Sequence, residues 1–175
     1  MLISLDDRPI LASREVTIEN TTYCSAACSM CPRDVYAGSR RWSHMSLDLF
    51  KDAVHQGVAI GMLSIDLCGF GDVFMDPGLE EKLRWAKETY PYLKIYVSTT
   101  GDLLTEKRLP AILDLVTTLK FSHYAFSAET YAEVHGGAVK YERARENILR
   151  VLALPPEKRP YVMVSFLLLD KNAHE

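Results

Sequence analysis

Short runs rich in Val, Ile, Tyr and Leu alternate along this chain with longer stretches of helical period, and no single motif restricts the fold as much. The strand candidates are Glu15 to Asn20, Leu63 to Leu67, Lys94 to Ser98, Ser122 to Ser127, and Tyr161 to Leu168. Four helix candidates separate them. The first runs Leu47 to Gln56 behind Ser46 as N-cap, burying Phe50 and Val54. The second runs Leu79 to about Tyr90, with Asp76 as N-cap, Pro77 at a tolerated first-turn position and Pro91 beyond its end. The third spans roughly Thr105 to Val116, with Pro110 as a kink or as the true start. The fourth spans Tyr141 to Leu154 and stops before Pro155 and Pro156. Successive parallel strands need a helix-sized return, so the pattern predicts an α/β fold of parallel strands joined by right-handed crossovers.

At 175 residues and 48% hydrophobic content, the chain suits one domain with a sizeable core. The formal net charge of -3 gives no broad footprint for nucleic acid or an anionic membrane, so neither partner is expected. Tyr161 to Leu169, the most apolar run, is too short to span a bilayer. Met1 to Ile10 carries Asp6 and Asp7 and lacks the basic region and apolar stretch of a secretory signal, so a cytoplasmic location is expected. Three of the four cysteines crowd into eight residues, and Cys68 lies in an apolar stretch. Reducing surroundings and metal chemistry fit this better than two disulfides.

In parallel α/β folds, ligands gather at the carboxyl ends of the strands. The chain's unusual polar segments all fall there: Cys24 to Cys31 after the first strand, Gly69-Phe70-Gly71-Asp72 after the second, Ser98-Thr99-Thr100-Gly101-Asp102 at the third, Ser127-Ala128-Glu129 at the fourth, and Asp170-Lys171-Asn172 after the fifth. One composite site is therefore expected. Cys24-x3-Cys28-x2-Cys31 offers three soft thiolates on a loop whose small residues, Ser25, Ala26, Ala27 and Ser29, let the backbone wrap a compact cluster. A structural zinc site takes four ligands, and His44 could supply the fourth. A ferredoxin-like electron carrier also takes four, with Cys68 available. A cubane held by three cysteines leaves one iron open to a cofactor.

The cysteine spacing, at the end of a first strand, resembles that of the radical S-adenosylmethionine (radical SAM) enzymes, and the strand-end motifs resemble their SPASM/twitch-related group. The resemblance covers nearly the whole chain. It implies a partial parallel (β/α) barrel, a 4Fe-4S cluster on Cys24, Cys28 and Cys31, and S-adenosylmethionine chelated at the open iron. Reductive cleavage would give a 5'-deoxyadenosyl radical that abstracts hydrogen from an unidentified peptide or small polar substrate. An electron donor such as flavodoxin or ferredoxin is implied as partner. Family cores usually have six βα units, so the five strands and four helices counted here imply a barrel lacking the sixth unit and incomplete at its C-terminal side.

By the same resemblance, Met30, Gly69, Gly71, Asp72, Thr99, Ser127 and His135 bind the cofactor. Asp72 stands where relatives carry Glu to receive the cofactor's amino group, and Thr100 stands where Asn is usual. Ser127 would meet the methionine or ribose part. His135 falls where many relatives carry an arginine that pairs with the cofactor's carboxylate. Gly101 suits a positive φ turn, and Asp102 is read as solvated. Asn172 and Glu175 resemble an Asn-x-x-Glu pattern of some relatives. Arg33 to Met45, with Arg33, Arg40, Arg41, Trp42 and His44, reads either as a solvated basic loop or as a cover over the site suited to an anionic or hydroxyl-rich substrate.

Overall fold

The computed structural model describes residues 14–36 and 38–175; the acidic stretch Met1 to Ile10 lies outside them. Five parallel strands form one open sheet in chain order: β1 (Glu15–Ile18), β2 (Ser64–Leu67), β3 (Lys94–Thr99), β4 (Thr118–Ser122) and β5 (Tyr161–Ser165). Because each strand is added on the same side of the last and crossovers are right-handed, the connecting helices fall on one face. The result is a barrel-like arc rather than a doubly wound sheet. Among the described residues, no helix is long and apolar enough to cross a membrane.

The strands alternate as period-two segments should. Ile65 and Leu67, Ile95 and Val97, and Leu119 and Phe121 are buried against helix residues Phe50, Val54, Leu79, Leu83, Ile112, Ile148 and Val151 in one core. The intervening positions, Asp66, Tyr96, Ser98, Lys120 and Ser122, are half-buried and polar, so the opposite face is built for polar contents. The helices are α1 (Leu47–Ala59), α2 (Leu79–Thr89), α3 (Leu109–Ile112), α4 (Ala128–His135) and α5 (Tyr141–Leu152). Ser46 caps α1 through Leu49 N, as the sequence suggests.

Three expectations need correction. The third helix shrinks to Leu109–Ile112, because Pro110 can sit only in a first turn and the chain leaves helix soon after to pair Thr117 with Ile95. The fourth strand runs Thr118–Ser122 and not Ser122 to Ser127: Leu119 and Phe121 are its buried pair, and the register with β3 and β5 follows from them. The residues given to that strand instead lead into α4, a helix the apolar pattern does not announce. Smaller shifts follow at α2, which starts at Leu79 behind Gly78, while Asp76 accepts from Gly78 N at 2.9 Å.

Asp76 has a larger task. Its carboxylate pairs with Lys82 Nζ at 2.5 Å and accepts from Asn20 Nδ2 at 2.8 Å, and all three residues are buried. Removing one partner strands a charge in a low-dielectric interior. Lys82→Met is expected to destabilise the fold by roughly 3–5 kcal/mol in urea denaturation, far more than an exposed lysine would.

Candidate active site

At the carboxyl ends of β1 to β4 lies a cleft of about 250 Å³. Its walls come from four rim segments: Cys24, Cys28, Met30 and Cys31; Cys68 to Asp72; Ser98 to Thr100; and Ser122, Tyr124 and His135. Of the five strand-end segments expected to meet, those at Cys24 to Cys31, Gly69 to Asp72 and Ser98 to Thr100 come together here, whereas Ser127 to Glu129 and Asp170 to Asn172 do not line the cleft.

The loop carrying the cysteines has almost no regular structure, so its neighbours hold it. The end of α4 does most of this: Ala27 N donates to His135 O and Ser29 N to Val134 O, each at 2.8 Å, while Ala138 N donates to Ser25 O at 2.9 Å. This approach needs the glycines after α4. At Gly137, with φ of 69°, a Cβ would stand 2.6 Å from Ser25 O. From the other side, Asp72 N donates to Tyr23 O at 2.9 Å, and a Cβ on Gly71 would lie 2.0 Å from Thr21 O. Arg33 closes the loop from below, donating through its two terminal nitrogens to Cys24 O at 3.3 Å and Ala26 O at 2.8 Å. That planar fork is a loop clamp, which neither sequence reading of the basic segment anticipates.

Burial raises the Cys24 thiol, and it pushes Cys28 up to about 11, helped by the adjacent Cys24 and Cys31 thiols. The crowded, half-buried Cys24 and Cys28 sulfurs resist ionising in the bare protein. A cationic iron-sulfur centre reverses that cost, because it binds them as thiolates. Among the described residues, no three or more His, Cys, Asp or Glu side chains close tightly enough around one point to hold a single ion. The thiols instead line an open cleft, and their soft sulfur donors suit a cluster. His44, the fourth ligand of the zinc reading, is elsewhere: its Nδ1 lies 2.9 Å from Thr21 Oγ1, and its ring packs 4.7 Å from Tyr23. Cys68 does reach the cleft.

Several expected ligands are already engaged within the chain. Asp72 is buried, and its carboxylate accepts from Phe74 N, from the Thr99 hydroxyl, and from Thr100 N and Oγ1, at 2.9 to 3.1 Å. Burial raises its pKa, while those donors pull the other way. Asp72 therefore ties the second rim segment to the third, and Thr99 shares that tie while its oxygen accepts from Gly101 N. Gly101 adopts φ of 86°. Asp102 is buried rather than solvated, accepting from Lys140 N at 3.1 Å.

Ser127 is not a cleft residue. It is the N-cap of α4, accepting from Thr130 N at 3.2 Å and donating to Glu175 Oε1 at 2.6 Å. The expectation failed because β4 ends five residues earlier, so the strand-end serine in the cleft is Ser122, followed by Tyr124. Period-two burial of Leu119 and Phe121 is the signal that would have found them. Asn172 is fully buried and bonds Tyr124 O and Leu167 O at 2.8 Å, which fastens the same loop from outside the cleft. His135 is buried, and burial lowers its pKa to about 4. In the basic segment, Arg40 pairs with Glu19 and lies 4.8 Å above the Phe70 ring, at the cleft's edge.

The sequence profile of the radical SAM superfamily matches residues 18–169. Among curated proteins, none matches. Solved structures with the same fold include BtrN in complex with AdoMet and 2-DOIA, at 21% identity and a TM-score of 0.65 over 86% of this chain and 55% of that one. Methylornithine synthase PylB aligns at 18% identity and a TM-score of 0.62, over 87% of this chain and 44% of its own. The radical S-adenosylmethionine methyltransferase TsrM from Kitasatospora setae, with tryptophan and a SAM analogue bound, aligns at 16% identity and 0.65, over 88% and 30%. The chain spans about half the length of the first two.

Gly71→Ala is expected to unseat the cysteine loop and cost roughly 2–3 kcal/mol, because the clash is with backbone that cannot swing away. Gly38→Ala, where a Cβ meets nothing within 4 Å, should change stability by less than about 0.5 kcal/mol. Paired thermal melts of the two variants check this.

Proposed function

The chain belongs to the radical SAM superfamily, whose members use a 4Fe-4S cluster and S-adenosylmethionine, and from that premise we propose that Cys24, Cys28 and Cys31 hold the cluster here and that the protein cleaves S-adenosylmethionine reductively, with hydrogen abstraction from a peptide or small polar substrate. The observation that carries this reading is the meeting of all three thiols with three further strand-end segments in one cleft. The cluster, when bound and reduced, supplies the electron that splits the cofactor's sulfonium bond to a 5'-deoxyadenosyl radical.

This chain's own residues bind and shield. Met30 and the backbone of Gly69 and Gly71 form the wall against which the cofactor lies, and the small glycines admit it closely. Asp72 and Thr99 hold that wall in register, since their polar atoms are engaged with one another. Ser122 and Tyr124 take the cofactor contacts first expected of Ser127. His135 acts on the cluster side and not as the partner of a carboxylate. The polar concave face, with Asp66, Tyr96 and Lys120, receives the substrate, and suits a small polar molecule or a peptide backbone better than a greasy one. A flavodoxin or ferredoxin is the proposed electron source.

A second reading draws support from Cys68, which borders the same cleft: a four-cysteine electron carrier. Serine replacement separates the two. After anaerobic reconstitution, Cys24→Ser, Cys28→Ser and Cys31→Ser should each lose most bound iron and sulfide, and Cys68→Ser should keep the parent content. Cluster loss in Cys68→Ser would favour the carrier, and zinc in place of iron would overturn both.

A further inference from the structure

His135 is completely buried, yet both its ring nitrogens are committed. Nε2 lies 3.3 Å from the backbone nitrogen of Tyr124. A backbone N–H can only donate, so Nε2 accepts and carries no proton. A neutral imidazole then holds its single proton on Nδ1, and Nδ1 lies 3.4 Å from Cys28 Sγ. The tautomer is thus set by the main chain of the β4–α4 loop. Ring orientation is equally constrained: the imidazole stacks on Tyr124 at 5.0 Å and 10°, and it packs 4.3 Å from Tyr131. The His135 carbonyl, through Ala27 N, holds the loop that presents Cys28.

We propose that His135 donates its Nδ1–H to the Cys28 sulfur and thereby raises the reduction potential of the cluster bound there. The inference rests on Cys28 being a cluster ligand. Adding an electron to a thiolate-bound cluster increases negative charge on its sulfurs, so a donor aimed at one sulfur stabilises the reduced state more than the oxidised one. Cys24 has a backbone donor of this kind in Ala26 N–H. Cys28 receives its side-chain donor from a residue more than a hundred positions away, held rigid by two aromatic rings. His135 is accordingly a tuning residue acting through Cys28, not a group that touches the reacting atoms.

The test compares the parent chain, His135→Phe and His135→Asn after anaerobic reconstitution, by redox titration with iron and sulfide analysis. Phe keeps an aromatic plane between Tyr124 and Tyr131 but has no donor; Asn places an amide N–H near the Nδ1 position. His135→Phe should lower the potential by the equivalent of a threefold to tenfold change in the reduction equilibrium, tenfold being about 59 mV for one electron. His135→Asn should stay within twofold of the parent. In parent protein labelled with nitrogen-15 histidine, pulsed electron paramagnetic resonance of the reduced cluster should show a weak nitrogen coupling. That measurement decides alone if the Phe variant does not fold. An unshifted potential in cluster-loaded His135→Phe, or no nitrogen coupling in the parent, overturns the inference while the cluster assignment stands. A parent chain that binds no iron and sulfide removes the cluster assignment, and the inference with it.

Discussion

Ala27 N and Ser29 N donate to the carbonyls of His135 and Val134, and Ala138 N returns a bond to Ser25 O. These backbone contacts give an irregular loop the rigidity of the helix it leans on. Buried main-chain groups must find partners, and a loop without its own ladder finds them only on a neighbour. The neighbour here is the C-terminal turn of α4, whose last carbonyls are free by the nature of a helix end. Gly136 and Gly137 let the chain turn away so closely that side chains would collide with Ala27 and Ser25. The positions of Cys24, Cys28 and Cys31 depend on that docking.

Around the loop, several buried polar groups pair in separate networks. Asp76, Lys82 and Asn20 fasten the base of α2, while Asp72 joins the ends of β2 and β3 through Thr99 and Thr100. Asn147 holds the third rim turn by donating to Gly101 O at 2.7 Å. These bonds tie the rim segments to one another around the cleft that the three thiols line. Hydrogen bonds made behind a binding group orient it and tune what it binds.

Much of the architecture was legible in the sequence because strands buried on one face repeat every second residue. Ile65 and Leu67, and Ile95 and Val97, set β2 and β3 within a residue of their observed ends. Cys24, Cys28 and Cys31 were legible as one loop, since crowding three cysteines requires nothing from the rest of the chain. What escaped was α4. It has eight residues, of which only Tyr131 and Val134 are large and apolar, and its start is marked only by the Ser127 cap, which reads equally well as a strand-end polar residue. That single misreading displaced β4 and put Ser127, the N-cap of α4, where Ser122 stands at the strand end. The hydrogen bonds of Asp72 escaped for a different reason. A sequence shows that a carboxylate stands at a rim, but not that Thr99 and Thr100 fold back to occupy it.

The most direct measurement of the central claim is the electron paramagnetic resonance spectrum of the anaerobically reconstituted, reduced chain, recorded with and without S-adenosylmethionine. An open iron beside Cys24, Cys28 and Cys31 predicts a reduced-cluster signal whose g values shift on adding the cofactor, accompanied by 5'-deoxyadenosine release. A reduced-cluster signal that the cofactor leaves unchanged, with no 5'-deoxyadenosine formed, would contradict it.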